Sequence, residues 1–252
     1  MDRKYYMEYY HLERNHWWFK ARLKILESQI KKLVGKEIRN FKILNVGVAT
    51  GATTKMLEKY GKVTSVEYDQ ECCEFLNKEL KIESIQASFT NLPFEPSTFD
   101  LVCAFDVIEH IEDDNLALKE LKRVLKNEGK FVLTVPAFNF LWSKHDEINH
   151  HFRRYTLKNF NHQLQKINLI IIYQTYFNFY FFLPIAFIRS VKKLIVRKSK
   201  NKDTTGSDFE LLNKFGFLNK LLYYIFKSEN YLLSIKFRFP FGISILVVGK
   251  KL

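Results

Sequence analysis

An α/β fold built on a Rossmann-like parallel sheet is what this sequence predicts, on three observations. Strand-like runs alternate with helical patterns from Phe41 to about Phe177, the rhythm of parallel strands joined by crossover helices. The first run, Ile43-Leu44-Asn45-Val46, enters a turn of small residues, Gly47-Val48-Ala49-Thr50-Gly51, that opens a helix. The second run ends in an acid, Glu67, at the height where a bound nucleotide would lie.

Strands are expected at residues 42–46, 62–67, 84–87, 99–105, 130–135 and 169–176, with helices at 51–60, 70–80, 113–125 and 157–166. An amphipathic helix over 15–34 precedes the first strand. The last strand, 243–250, arrives only after an interruption from about 179 to 238, too long for a plain loop, so the interruption is expected to carry structure of its own. Residues 198–207, polar and basic, form the expected mobile segment.

With 252 residues, 47% of them hydrophobic and 24 of them Phe, the chain can bury one large core and a small appendage. Three cysteines, Cys72 and Cys73 adjacent, make neither a disulfide framework nor a metal-binding Cys-x-x-Cys pair, which points to a reducing, cytoplasmic setting. The polar N-terminus lacks a signal-peptide core, so secretion is not expected. The net charge of +13 is concentrated late: from residue 181 onward there are fourteen Lys/Arg against four Asp/Glu. The basic character therefore belongs to the C-terminal third and not to the sheet.

Small residues in the 47–51 turn let backbone N–H groups approach a ligand, and the following helix N-terminus favours negative charge. The spacing is Gly-x-Ala-x-Gly, whereas a dinucleotide fold wants Gly-x-Gly-x-x-Gly, which argues against NAD. Glu67 is placed to accept hydrogen bonds from both ribose hydroxyls, and Tyr68 to pack on an adenine. A structural glycine loop in some other α/β domain is the plain alternative.

The strand and turn resemble the first motif of class I S-adenosylmethionine (SAM) dependent methyltransferases, and Glu67 matches their ribose-binding acid. The run Gln86 to Phe94 resembles the adenine-side motif, Ser97 to Val102 with Phe105 to His110 the fourth strand and its active-site end, and Leu121 to Val135 the fifth-strand motif, with a turn at Leu125 to Gly129. The resemblance implies a seven-stranded class I methyltransferase sheet with an α-helical insertion before the last strand, and SAM as cofactor. It implies cofactor contacts at Asn45, Gly47, Ala49, Gly51, Glu67, Tyr68, Ser88, Phe89 and Asp106. Three positions depart from the pattern: Asn45 and Ser88 stand where acids are usual, and Ala49 where Gly is usual. Each lost carboxylate removes a charged hydrogen bond of about 1.5–3 kcal/mol. Weaker SAM binding, or a non-catalytic SAM-binding or scaffolding protein, stays open.

The chain so divides into an N-terminal helical lid (1–40), a SAM-binding catalytic domain (41–178), a helical, basic, apolar insertion (179–238) and the final strand (239–252). In the lid, Trp17, Trp18 and Phe19 are candidates to close over the cofactor and Arg22 to take its carboxylate, unless they are core residues of the helix. His16 to Arg22 and the run Leu141-Trp142-Ser143-Lys144-His145-Asp146 with His151-Phe152-Arg153-Arg154-Tyr155 resemble a bacterial subgroup of these methyltransferases.

Because loops beyond strand C-termini line the ligand crevice, the 136–155 segment is expected to hold the acceptor. His145 and His151 are candidate general bases with Asp146 as orienting carboxylate, and His110 faces the same region. For Glu109 and His110, capping of a helix and packing at the sheet edge stand as the alternative. Trp142, Arg153, Arg154 and Tyr155 are candidate substrate contacts, the arginines as forks for a phosphate or carboxylate. The alternative is a buried polar network tying the loop down. No metal is expected: His145, Asp146, His150 and His151 lack the helical His-x-x-x-His spacing and any cysteine partner.

No charged residue lies between Leu169 and Ile188, yet the first half of that run reads as a strand, which leaves too little to cross a membrane. An apolar helix from about Pro184 followed by Arg189, Lys192, Lys193, Arg197, Lys198, Lys200 and Lys202, with a second amphipathic helix over 209–233, has the composition of an interfacial membrane element. A helical cap or homodimer contact is the alternative, and nucleic acid is not expected. The functional expectation is methylation, on oxygen, of a hydrophobic or lipid-linked acceptor at the cytoplasmic membrane face, by a peripheral protein. The alternative acceptor is a soluble small metabolite.

Overall fold

The computed structural model describes residues 3–35, 41–196 and 216–252. Seven strands form one sheet: β1 (Phe41–Val46), β2 (Gly61–Glu67), β3 (Ser84–Gln86), β4 (Phe99–Phe105), β5 (Leu125–Pro136), β6 (Leu169–Phe177) and β7 (Ser244–Lys251). Their order is β3-β2-β1-β4-β5-β7-β6. The pairs from β3 to β5 are parallel, while β7 runs antiparallel between β5 and β6. The burial of Ile43 to Val46 in β1 and of Leu101 to Phe105 in β4 follows from this, since both faces of a central parallel strand are covered.

Nine helices accompany the strands among the described residues: α1 (Arg3–Asn15), α2 (Trp17–Val34), α3 (Ala52–Leu57), α4 (Gln70–Glu79), α5 (Asp114–Val124), α6 (Lys144–Ile148), α7 (Leu157–Lys166), α8 (Phe182–Val196) and α9 (Gly216–Ser234). Short polar caps start several of them. Asp69 accepts from the Cys72 N–H at 2.9 Å to open α4, and Asp113 accepts from Asn115 and Leu116 to open α5. Each such cap contributes about 1 kcal/mol.

Two local expectations change. The turn expected at Leu125 to Gly129 is the beginning of β5. Phe99 pairs with Leu125 and then Leu101 with Lys130, so the extra residues form a bulge, with Glu128 at φ +61°. The single helix expected over 15–34 is two helices that meet at His16, whose ring accepts from the Trp18 N–H at 3.3 Å. α1 was not anticipated.

α2 is a core element. Ala21, Ile25, Leu26 and Ile30 are fully buried, and Trp17 is 7% exposed against Phe181 and Phe226. Fully burying each large side chain contributes about 1.5–3 kcal/mol. The apolar faces of α2 and α9 meet, so the insertion is anchored through Phe226 and Leu233. Glu229 of α9 is fully buried and accepts from the backbone N–H groups of Asn178, Phe179 and Tyr180 at 2.7, 2.7 and 3.1 Å, closing the chain as it leaves β6. Burial raises its pKa to about 7 against those hydrogen bonds. The expected mobile segment at 198–207 lies outside the described residues. No described helix is long and apolar enough to cross a membrane.

Candidate active site

The glycine turn joins β1 to α3 and needs left-handed backbone at three positions, Gly47 (φ +69°), Ala49 (φ +46°) and Gly51 (φ +81°). A Cβ at Gly47 would lie 2.4 Å from Val107 Cγ2, and one at Gly51 2.4 Å from Ile82 Cδ1, so both glycines are also required by packing. Glu67, at the end of β2, accepts from the N–H of Ala49 at 3.0 Å and of Tyr68 at 2.8 Å. The acid is thus held against the turn; with a longer contact from the Asp69 N–H at 3.4 Å, three of a carboxylate's roughly four lone-pair sites are engaged and one remains for a ribose hydroxyl. This donor and acceptor set fits a SAM nucleoside.

Four cofactor-side candidates have the following surroundings. Asn45 is fully buried and donates to Thr53 Oγ1 at 2.9 Å and Thr54 Oγ1 at 3.0 Å, so its amide ties β1 to α3. Tyr68 is 74% exposed beside Glu67, so its ring is accessible to a ligand. Phe89 packs in the hydrophobic core. Ser88 hydrogen-bonds Thr90 Oγ1 at 2.7 Å, closing its own turn.

The lid side also reorganises. Arg22 is 8% exposed and its Nη2 donates to Asp106 at 2.6 Å and to Thr134 Oγ1 at 3.0 Å, while Thr134 donates to Asp106 at 2.9 Å. Arg22 is therefore committed to the acid at the end of β4, where a cofactor carboxylate had been expected. Trp18 stacks near Phe226 and Trp17 is core, so α2 is fixed by packing. The element laid against the glycine turn is α1. Thr50 Oγ1 donates to Glu13, Arg14 Nη2 donates to the Thr50 carbonyl at 3.0 Å, and Tyr6 donates to Asp69 at 2.9 Å.

Beyond β5, the 137–155 segment is anchored by Asp146. Fully buried, it accepts from Arg154 Nε at 2.7 Å and Nη2 at 3.0 Å, from His151 Nδ1 at 2.8 Å and from the Ser143 N–H at 2.8 Å. Burial opposes its charge, but the hydrogen bonds from His151 and Arg154 outweigh it and hold the carboxyl well below its ordinary range. Arg154 spends a further donor on the Ala137 carbonyl at 3.1 Å. Arg153 pairs with Asp114 at 2.8 Å, and the buried Tyr155 donates to the same Asp114 at 2.8 Å. Three residues expected to grip the acceptor are thus spent on tying the loop down. Trp142 stays half-buried at the segment's start.

The imidazoles converge. The His110 and His151 rings lie 4.6 Å apart at 89°, and those of His145 and His151 6.1 Å apart at 89°. Desolvation of its ring, followed by the charge of His151, lowers the His110 pKa to about 4, although part of the residue reaches solvent. Glu109 is fully buried, and burial followed by the charge of Asp106 raises its pKa well above the ordinary value. Sequence reasoning missed Thr134, Glu13 and Arg14. A threonine inside the apolar run of β5 was the available signal for the first, whereas nothing local marks a helix of mixed composition as a cover for the turn.

The strand order with its single reversed strand, the glycine turn and the strand-end acid define the Rossmann-like class I methyltransferase fold. A family model described as "Methyltransferase domain" matches residues 44–133. The chain is 34% identical over 103 residues to a sarcosine/dimethylglycine N-methyltransferase of Halorhodospira halochloris, covering 37% of this chain and 37% of that protein. It is 33% identical over 107 residues to an uncharacterized protein of Methanocaldococcus jannaschii, covering 42% of this chain and 44% of that one. It thus spans less than half the length of these curated relatives. Among solved structures, a phosphoethanolamine N-methyltransferase of Haemonchus contortus in complex with SAM superposes with a TM-score of 0.56 at 18% identity, covering 90% of this chain and 52% of that one. That likeness concerns the fold.

Proposed function

We propose that this protein is a SAM-dependent methyltransferase acting on the oxygen of a hydrophobic or lipid-linked acceptor at a membrane face. The observation that carries the methyl-transfer reading is Glu67, held by the Ala49 N–H at 3.0 Å directly across from the glycine turn. SAM, when bound, supplies an electrophilic methyl group. The chain's own task is positioning, and holding a nucleophile in near-attack geometry accounts for most of what such a displacement needs.

Acceptor contacts are assigned to the C-terminal ends of β4 and β5, at His110, His145, His151 and Trp142. A hydroxyl must give up its proton, and a neutral imidazole takes it near working pH. Asp146 accepts from His151 Nδ1, which leaves Nε2 as that ring's acceptor.

The membrane part of the reading is supported by what α8 and α9 expose. Leu183 is 66% exposed, Phe187 71%, Phe217 81% and Tyr231 73%. So much apolar surface next to basic sequence is the composition of an interfacial element.

Calorimetric titration tests the first half: the wild type should bind SAM, and Glu67→Ala should weaken it on the order of 10- to 1000-fold, as expected for losing one or two charged hydrogen bonds. Equal affinity in the two proteins removes the methyltransferase reading. Flotation with vesicles containing anionic lipid, at low and high salt, tests the second half. A protein that binds SAM but stays with the soluble fraction is better described as acting on a soluble metabolite.

A further inference from the structure

Glu109, His110 and His151 come from two separate segments, yet one ligand atom from each lies within 4.8 Å of the other two. Glu109 and His110 belong to the short 3₁₀ turn Ile108–His110 after β4, and His151 follows α6. The backbone locks the segments together, since the Phe152 N–H donates to the Glu109 carbonyl at 2.8 Å.

Glu109 is the anomaly. Its side chain is fully buried, and neither carboxylate oxygen finds a hydrogen-bond partner on another residue. Such a group is costly unless something positive completes it. Arg22 and Arg154 stand near enough to act on its charge, but neither donates a hydrogen bond to it: Arg154 turns its donors to Asp146 and the Ala137 carbonyl, and Arg22 turns Nη2 to Asp106 and Thr134 while its Nε is left without a partner.

The His151 imidazole is already arranged as a ligand, and the His110 ring lies against it at 4.6 Å. His151 Nδ1 is bonded to Asp146 at 2.8 Å, which leaves Nε2 to face a cation. A carboxylate behind a ligating histidine is the usual way in which tautomer and ring orientation are fixed. The cluster opens to solvent on the His110 side, as a site must if a further ligand is to enter.

We propose that Glu109, His110 and His151 bind one divalent cation of the Zn²⁺ type, with an open position for the acceptor oxygen. Two imidazoles and one carboxylate suit Zn²⁺ and its transition-metal neighbours better than Mg²⁺, which prefers oxygen ligands. Bonds of about 2.0–2.2 Å bring ligands on one ion to roughly 3–4 Å from each other, so binding draws the trio together from its separation of up to 4.8 Å.

The site adjoins the glycine turn, because Val107, two residues before Glu109, is the side chain that a Cβ on Gly47 would strike. The cation's role toward the acceptor rests on the methyltransferase reading above. With the cation bound, His110 and His151 serve as its ligands and not as bases, so a hydroxyl bound to it gives its proton to water, and the electron pair of the broken O–H bond stays on the oxygen for the incoming methyl group.

The test is titration of the metal-stripped full chain with Zn²⁺, by calorimetry and by metal analysis after gel filtration, alongside a Mg²⁺ control. One equivalent of Zn²⁺ is expected. Glu109→Gln, which keeps the shape and removes the buried charge, and His110→Ala should each weaken it at least about tenfold, and Asp146→Asn about 10- to 100-fold. His162→Ala, on the exposed face of α7, should not change it. Circular dichroism of each variant separates lost binding from lost folding, and Glu109→Gln decides the matter where a histidine variant unfolds. Absence of stoichiometric Zn²⁺ in the wild type, or undiminished affinity in Glu109→Gln and His110→Ala, overturns the proposal. SAM titration of the same samples is read separately: SAM without zinc defeats the metal site alone, and zinc without SAM defeats the methyltransferase reading alone.

Discussion

Replacing Asp146 by asparagine perturbs the anchor on which the whole 137–155 segment depends. Asp146 is fully buried, Arg154 is 4% exposed, and the two share hydrogen bonds of 2.7 and 3.0 Å. Removing one partner of such a pair leaves a buried charge uncompensated, at a cost of about 3–5 kcal/mol. The new amide group also turns donors toward His151 Nδ1 and the Ser143 N–H, which are donors themselves. For a chain of this size each kcal/mol lowers Tm by about 2–4 °C, so a fall on the order of 6–20 °C is expected.

Thermal unfolding at pH 7 followed by circular dichroism measures it, with Arg154→Met and the double variant completing a cycle. The double variant should lose less than the sum of the single ones, since neither charge is then left alone. The pH dependence has a definite sign. The folded carboxyl titrates below its ordinary range, so its stabilisation is present above that range and is lost as pH falls toward the folded value. Asp146→Asn should therefore flatten the acid limb of the stability profile. A loss below about 1 kcal/mol at pH 7 would refute the anchoring argument, because it lies outside the range for a broken buried pair.

Glu229 behaves oppositely. Its pKa is raised to about 7, so its favourable contribution is fully present below the ordinary carboxylate value and is lost as pH rises through 7. Chemical denaturation of Glu229→Gln from pH 5 to 8 should show a shallower decline than the wild type, by on the order of 3 kcal/mol, and an unchanged slope refutes the assignment. At Ala49, φ is +46°, where an L side chain costs about 1–2 kcal/mol, offset by the greater freedom that glycine loses on folding. Ala49→Gly should leave stability within about 1 kcal/mol of wild type or raise it, read from denaturation midpoints; marked destabilisation contradicts the backbone argument. Phe187→Ser with Phe217→Ser, at 71% and 81% exposure, should cut co-flotation with anionic vesicles while leaving Tm within about 2 °C, because neither side chain is in the core.

Much of the sheet was legible because its signal is local. β4 falls on the expected residues 99–105 and α7 on 157–166, each set by hydrophobic period and by breakers at its ends. Glu67 was legible for the same reason, as a strand-end acid beside a glycine turn. The bulge that starts β5 at Leu125 was not, since its turn-like residues are extended only by pairing with Phe99. The same limit applies at the loop. Sequence placed His145, Asp146, His151, Arg153, Arg154 and Tyr155 in one segment, but could not say which of them faced a ligand and which faced each other.

The sequence by itself determined the α/β class, the order of the elements, the turn at 47–51 and the acid at Glu67, because periodicity and turn chemistry act within a few residues. Only the tertiary structure decided that Arg22 is held by Asp106, that Arg154 serves Asp146, that α1 covers the turn, and that Glu109 meets His110 and His151. Those outcomes depend on charged groups far apart in the chain finding partners once water is excluded, and the energy of a buried charge is set by its neighbours in space.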